Sequence, residues 1–171
     1  MSKGKIAILV ENDYQDQEVW VPLYRLREEG YETVVLGPAA GTFKSKHGYP
    51  IDARPISEAR ADDFLGVVIP GGWAPDRLRQ HASILKLVKD LFERKRVVAA
   101  ICHAGWVLAS AGVAKGKRLT SYVAIKDDLI HAGADWVDQE VVRDGNLVTA
   151  RKPDDLPAFC REMLKALREA S

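Results

Sequence analysis

The sequence predicts an α/β fold built on a mostly parallel central sheet. Three observations carry this expectation. Lys5 to Leu36 reads as strand, helix, strand, the opening of a parallel sheet with a crossover helix. Phe64 to Ile69 and Val97 to Ile101 are continuous apolar runs rather than alternating ones, the pattern of strands buried on both faces. Between the strands, apolar residues recur at helical spacing.

The elements follow in order. Lys5 to Val10 is a buried strand, and an acidic and polar turn, Glu11 to Asp16, comes after it. Val19, Leu23 and Leu26 mark a helical face that Gly30 terminates, and Thr33 to Leu36 is the second strand. Gly41 to Pro55, rich in glycine and proline, predicts a small hairpin or excursion off the main sheet. Phe64 to Ile69 returns to a strand that ends at Pro70-Gly71-Gly72. Ile84, Leu87, Val88, Leu91 and Phe92 then define a helix before the strand at Val97. His103 to Ala111 reads as a helix, Leu119 to Val123 as a strand end and Ile125 to Ala132 as a short helix. Val137 to Val142 and Asn146 to Ala150 flank Asp144-Gly145, a hairpin signal. A closing helix from Asp154 to Ala170 places Phe159, Met163 and Leu167 on one side. With no repeat, linker or low-complexity segment, residues 1–171 read as one domain.

Composition excludes several function classes. The chain has 25 basic and 24 acidic side chains and a net charge of +1, with no long run of one sign. Nothing electrostatic points to nucleic acid or a membrane surface. Cys102 and Cys160 form no CxxC or Cys/His ligand pattern, so neither a zinc site nor a disulfide framework is expected. Met1 to Lys5 precedes no signal-like apolar stretch, and no run approaches membrane-spanning length. A cytoplasmic, reduced protein is expected, with small molecules, peptides or copies of itself as partners.

Cys102 stands at the joint between the strand Val97–Ile101 and the helix after it. A strand-to-helix turn lifts such a side chain above the sheet and aims the first N–H groups of the helix at it. Those groups favour negative charge, so the thiol is expected to ionise more readily than a free one. Cysteine is also a common core residue. What favours chemistry is convergence: strands ending near Glu11 to Glu18, at Gly71-Gly72 and at Cys102-His103 share one edge of a parallel sheet, where ligands bind.

Each neighbour has two readings. Gly72 is either a tight turn or, with the N–H of His103, half of an oxyanion hole. Glu18 either favours its helix N-terminus or points at Cys102 and, when protonated, donates a hydrogen bond to the thiolate. His103 can meet the thiol only if Cys102 leaves helical geometry, and Asp76 is a candidate carboxylate to orient it. His47, His81 and His131 read as surface or loop residues, and Asp127-Asp128 as a helix start rather than a metal pair. A class I amidotransferase needs a late His-x-Glu pair that is missing here, and a phosphoacceptor domain gives no role to Cys102.

Pro70-Gly71-Gly72-Trp73-Ala74-Pro75-Asp76, Ala100-Ile101-Cys102-His103 and Thr120-Ser121-Tyr122 through Lys126-Asp127-Asp128 together resemble the DJ-1/ThiJ/PfpI superfamily, and most of all its PfpI-like intracellular protease branch. The likeness runs from Lys5 to about Leu167 and includes Lys46-His47-Gly48-Tyr49 and Gly133 to Asp138. It implies a flavodoxin-like three-layer sandwich with Cys102 on a nucleophile elbow, His103 as base, Glu18 touching the cysteine, and Gly72 and His103 as oxyanion donors. Trp73, Trp106 and Tyr122 then border the pocket, although either tryptophan can instead pack an interface. The resemblance implies no cofactor and no metal. It also implies dimers, or hexamers built from them, with the site near an interface and a glutamate from the neighbouring subunit where Asp76 stands. Asp76 is one methylene shorter than that glutamate. Val123-Ala124 replaces a frequent Pro-Gly, and Ala104-Gly105 a frequent Gly-Pro. Activities in such proteins include peptidase, glyoxalase and deglycase chemistry on peptides or small carbonyl adducts in stress defence. The alternative is a non-enzymatic redox-sensing or chaperone-like protein that uses oxidation of Cys102.

Overall fold

The computed structural model describes residues 2–170; Met1 and Ser171, at the limits of the expected domain, lie outside the described residues. In chain order the elements are β1 (Lys5–Leu9), α1 (Asp16–Glu28), β2 (Glu32–Gly37), β3 (Gly41–Lys44), β4 (Pro50–Pro55), β5 (Gly66–Ile69), α2 (Ala74–Leu78), α3 (Ala82–Glu93), β6 (Val97–Ile101), α4 (Gly105–Ser110), β7 (Arg118–Leu119), α5 (Lys126–His131), β8 (Asp135–Trp136), β9 (Val141–Asp144), β10 (Leu147–Ala150) and α6 (Leu156–Glu169). The main sheet runs β3-β4-β2-β1-β5-β6-β10-β9. Its five inner pairings, from β4·β2 to β6·β10, are parallel, and the outermost pair at each edge is antiparallel.

The topology explains the layers. From β1 the chain first moves to one side, through α1 to β2, and later returns to the other side, to β5 and through α3 to β6. Right-handed crossovers in opposite directions put the connecting helices on opposite faces. Accordingly α1 packs with α6 over one face, while α3 and α4 pack together over the other. Ile6, Ile8, Val67, Val68, Val98 and Ala99 are buried between the two helix layers. Helices α3 and α6 bury Ile84, Leu87, Val88 and Leu91, and Phe159, Met163 and Leu167, respectively. Each such side chain removed from water contributes about 2 kcal/mol. This is the flavodoxin-like α/β architecture expected from the sequence.

Two local expectations need correction. The hairpin from Gly41 to Pro55 is not an excursion off the main sheet. Strand β4 pairs with β2 in parallel through Leu36↔Arg54 and Gly37↔Pro55, so the hairpin is one edge of the sheet. Strand β3 is the outer edge, and the two prolines stand at the ends of β4, Pro50 paired only with β3 and Pro55 only with β2, so each leaves one side without a ladder partner. The strand end expected over Leu119 to Val123 is shorter: β7 stops at Leu119, pairs with β8 in a separate two-stranded sheet, and Val123–Ile125 is a single 3-10 turn.

Candidate active site

The reversal of strand order at β1 and β5 opens a crevice at their carboxyl ends, beside that of β6. Three segments meet there. The turn after β1 crosses to the turn after β5 through Gln15 N–H donating to Gly71 O at 3.2 Å and Trp73 N–H donating to Asp13 O at 2.9 Å. The segment after β6 is tied to a third loop by Tyr122 N–H donating to Cys102 O at 3.2 Å.

Cys102 follows the last residue of β6 with φ 62°, in the left-handed region. For a residue with a Cβ this conformation costs of order 1–3 kcal/mol and persists only where the surroundings impose it. Here the buried strand on one side and the 3-10 turn Cys102–Ala104 leading into α4 on the other impose it. The reversal brings the thiol and the next side chain together: Cys102 Sγ lies 3.2 Å from His103 Nδ1. Consecutive residues in a regular helix point about 100° apart, so the contact depends on the bend. Backbone N–H groups of Gly72 and His103 also donate to the sulfur.

Gly72 has φ 73°, and a Cβ there would lie 2.4 Å from Asp13 O, so only glycine fits the crossing. Gly71 is constrained by proximity instead: a Cβ would meet Glu18 Oε2 at 2.5 Å and Cys102 Cβ at 2.6 Å.

Glu18 sits on the buried face of α1 with Val19, Pro22, Leu23 and Leu26 and is fully inaccessible. Its Oε2 accepts the Gly71 N–H at 2.7 Å, while Oε1 has no partner of hydrogen-bond geometry among the described residues. Burial pushes its carboxyl up to about 7, against the lowering effects of the Gly71 N–H, Cys102 and Lys46. At neutral pH it therefore exists in both protonation states.

The surroundings of the thiol oppose the ready ionisation that the sequence suggests. Burial, followed by the charge of Glu18, pushes Cys102 up to about 12, and the N–H groups of His103 and Gly72 offset this only in part. Donors at a bend lower a thiol, but desolvation and an adjacent carboxylate outweigh them here. Helix α4 has only six residues and begins at Gly105, beyond the turn that holds the thiol. The resting sulfur is thus a protonated thiol beside a neutral imidazole, and protonating Glu18 removes the repulsion that disfavours the thiolate.

His103 is half-buried within three aromatic rings: Tyr122 stacked at 5.0 Å, Trp106 edge-on at 5.2 Å and Trp73 at 5.8 Å between centroids. Burial, then the charge of Lys46, lowers its pKa, so the ring is neutral at physiological pH and its nitrogen is free to take a proton. Trp106 is anchored by its Nε1–H donating to Asp128 at 2.8 Å, and Arg79 lies over its ring. Trp73 remains 56% exposed at the rim.

Cys102 opens onto a cavity of about 440 Å³ lined by Gln15, Lys46, Gly72, Trp73, His103, Tyr122 and Lys152, among others. The structure therefore brings Cys102, His103, Glu18, Gly72, Trp73, Trp106 and Tyr122 together. Asp76 is exposed in the first turn of α2 and does not line the cavity, and its carboxylate has no hydrogen bond or ion pair among the described residues. Nor does His103 Nε2 have one. Sequence reasoning gave no role to Gln15, Lys46 or Lys152. Lys46 stands inside a motif quoted for its resemblance, and Lys152 in a loop between elements, where no periodicity signals a pocket.

Comparison with known proteins decides the family. The family model described as DJ-1/PfpI matches residues 4–166. The chain belongs to the DJ-1/PfpI family. It is similar to the deglycase PfpI of Pyrococcus furiosus, with 42% identity over 96% of this chain and 99% of that one. It is likewise similar to protein/nucleic acid deglycase 2 of Escherichia coli, with 41% identity over 98% and 99%. A solved two-domain protein of Anabaena variabilis, containing DJ-1/ThiJ/PfpI-like and ferritin-like domains, superposes with a TM-score of 0.95 at 40% identity. That match covers 97% of this chain and 48% of the other. As a DJ-1/PfpI member the chain has the sheet edge and cysteine elbow described above, and no helix among its described residues is long and apolar enough to cross a membrane.

Proposed function

We propose that this chain is a cysteine-nucleophile hydrolase of PfpI type, acting on carbonyl adducts as a deglycase and sharing the chemistry of peptide cleavage. The observation that carries the reading is the 3.2 Å contact between Cys102 Sγ and a neutral His103 Nδ1 at a strained elbow facing a cavity. The names of two similar proteins, both deglycases, favour adducts over peptides.

In this mechanism the thiol proton passes to His103 Nδ1 as the sulfur forms a bond to the substrate's carbonyl carbon. The carbonyl π pair moves to oxygen, next to the Gly72 and His103 N–H groups, which hold the developing charge. Glu18 supports the step through its proton: in its neutral form it adds no repulsion to the electron-rich sulfur. With a peptide or amide, C=O re-forms as the C–N bond breaks, His103 returns its proton to the departing amine, and water then cleaves the acyl thioester and restores the Cys102 thiol. With a methylglyoxal adduct, the sulfur replaces the amine or thiol at the carbinol carbon, the leaving group taking the His103 proton. A proton then moves from that carbon to the adjacent carbonyl carbon through an enediol, and water cleaves the resulting lactoyl thioester to lactate and the free thiol.

Among the described residues both the Asp76 carboxylate and His103 Nε2 lack partners, which suits a dimer or larger homo-oligomer in which Asp76 of a second copy orients the ring. Asp76→Asn is expected to lower kcat about tenfold without changing the monomer fold, and dilution to monomers should mimic it. Two free cysteines suit a reducing, cytoplasmic setting.

The reading is tested by assaying purified protein with methylglyoxal adducts of amino acids and with a fluorogenic peptide. Lactate release from the adduct, abolished by Cys102→Ser, is the expected outcome. If neither substrate turns over, or the serine variant retains the rate, the proposal fails. Peroxide-dependent mass gain at Cys102 without turnover points to the redox alternative.

A further inference from the structure

The cavity in front of Cys102 carries a charge pattern that thiol chemistry alone does not require. Two lysines, Lys46 and Lys152, line it, and no acidic side chain does so. Glu18 lies beneath the sulfur, buried and engaged with Gly71. The chain as a whole is close to neutral, so the two cations are a local feature.

Both lysines stand on fixed backbone. Lys46 N–H donates to Tyr14 O at 2.9 Å. The preceding Ser45 is buried, and its Oγ accepts the N–H groups of His47 at 3.2 Å and Tyr49 at 2.8 Å. Lys152 follows Arg151, whose guanidinium makes a two-pronged pair with the buried Asp155 at 2.9 and 3.1 Å. Lys46 acts electrostatically on both Glu18 and His103, and it has no ion-pair partner among the described residues. Lys152 meets Asp154 only at 3.9 Å, with both side chains exposed, a contact of little strength.

We propose that Lys46 and Lys152 form an anion-recognition element beside the nucleophile, so that the preferred substrates are small carbonyl adducts bearing a carboxylate. This rests on the hydrolase reading for its substrate and on geometry alone for the anion site. A carboxylate held between the two ammonium groups anchors one end of the adduct while its carbonyl carbon reaches the sulfur, fixing orientation in a cavity otherwise bordered by aromatic rings.

Two experiments test it together. Methylglyoxal hemithioacetals of N-acetylcysteine and of N-acetylcysteinamide differ only in the carboxylate. The expected kcat/KM ratio favours the carboxylate by about tenfold, falls about threefold with Lys46→Gln or Lys152→Gln, and approaches unity in the double variant. Lys89→Gln, far from the cavity on α3, leaves it unchanged. Independently of turnover, Cys102 is alkylated with iodoacetate and with iodoacetamide, the S–C bond forming as iodide leaves, and the product is located by peptide mass so that Cys160 is counted separately. The iodoacetate-to-iodoacetamide rate ratio is expected to drop about tenfold in the double variant and to drop in wild type at 1 M salt. A lysine-dependent alkylation ratio without turnover of either adduct sinks the hydrolase reading and leaves the anion site standing. Alkylation and turnover ratios that ignore the lysines overturn the inference, including the case in which a carboxylate of a second copy already neutralises Lys46.

Discussion

Cys102 and Cys160 are both buried free thiols, at 8% and 2% exposure, and burial is the first cause pushing each up, to about 12 and about 11. By burial and acidity they are almost indistinguishable. Their surroundings differ in every other respect. Cys160 lies within the regular helix α6, among core neighbours such as Phe159 and Leu164. Cys102 sits at φ 62° with two N–H donors, an imidazole at 3.2 Å, a coupled carboxyl and an open cavity. A nucleophile is thus recognised by the partners that can take its proton and by access to a carbonyl carbon, rather than by how acidic the resting thiol is.

The sharpest way to break this contrast is to exchange sulfur for oxygen at each position. Cys102→Ser is expected to reduce kcat at least about 10³-fold, since a hydroxyl beside a weak base is a far poorer nucleophile. Steady-state assay with the adduct measures it, and a loss of less than tenfold would mean that the reaction does not pass through this atom.

Glu18→Gln comes next, because it removes a coupling that Cys160 lacks. Without the carboxylate's repulsion the Cys102 thiol should titrate at least one unit lower, so iodoacetamide modifies it at pH 7 about tenfold faster. The same variant has a signature in stability. The folded-state pKa of Glu18, about 7, lies above its ordinary 4.5, so the native state holds this proton more tightly than the unfolded chain. The stabilisation is complete below pH 4.5 and is lost as pH rises through 7. Wild type should therefore lose about 3 kcal/mol relative to Glu18→Gln across that window. Paired denaturation curves at successive pH values measure this, and parallel stability profiles would exclude a buried titrating carboxyl.

A smaller effect is expected from Gly71→Ala. The added Cβ would stand 2.5 Å from Glu18 Oε2 and 2.6 Å from Cys102 Cβ, so the two groups must separate. About 1–3 kcal/mol of stability should be lost, with kcat down about tenfold. Unchanged thiol reactivity in a destabilised variant would show that the Glu18–Cys102 approach is incidental.

How much of this was legible in the sequence follows from the reach of each signal. The strands β1, β5 and β6 announce themselves as apolar runs because both faces are covered, and their ends predict the crevice. Cys102, His103 and Gly72 lie within three residues of those ends, where the apolar runs stop, so they are legible from the sequence. The β3–β4 hairpin is legible as a hairpin, but its polar residues and prolines give no sign of a sheet position, and only the pairing of β4 with β2 shows that it belongs to the main sheet. What opposes ionisation of Cys102 is not legible locally, because its burial and the charge of Glu18, a full 84 positions earlier, arise only through tertiary packing. Lys46 and Lys152 escaped for the same reason: two loops far apart in the chain meet at one cavity.

The smallest effect is expected at the other thiol. Cys160→Ala removes one sulfur from the buried side of α6, leaving a hole of atomic size whose cost is about 1–2 kcal/mol. No donor, base or cavity is disturbed, so kcat/KM should stay within about twofold of wild type while the midpoint of thermal unfolding falls by a few degrees. Cys160→Ser should be less stable than the alanine variant, because its hydroxyl must find a partner among apolar neighbours. If instead Cys160→Ala lowers turnover tenfold with stability intact, helix α6 communicates with the elbow through β6 and β10, against which it packs. The two thiols would then no longer be separable into one that reacts and one that fills space.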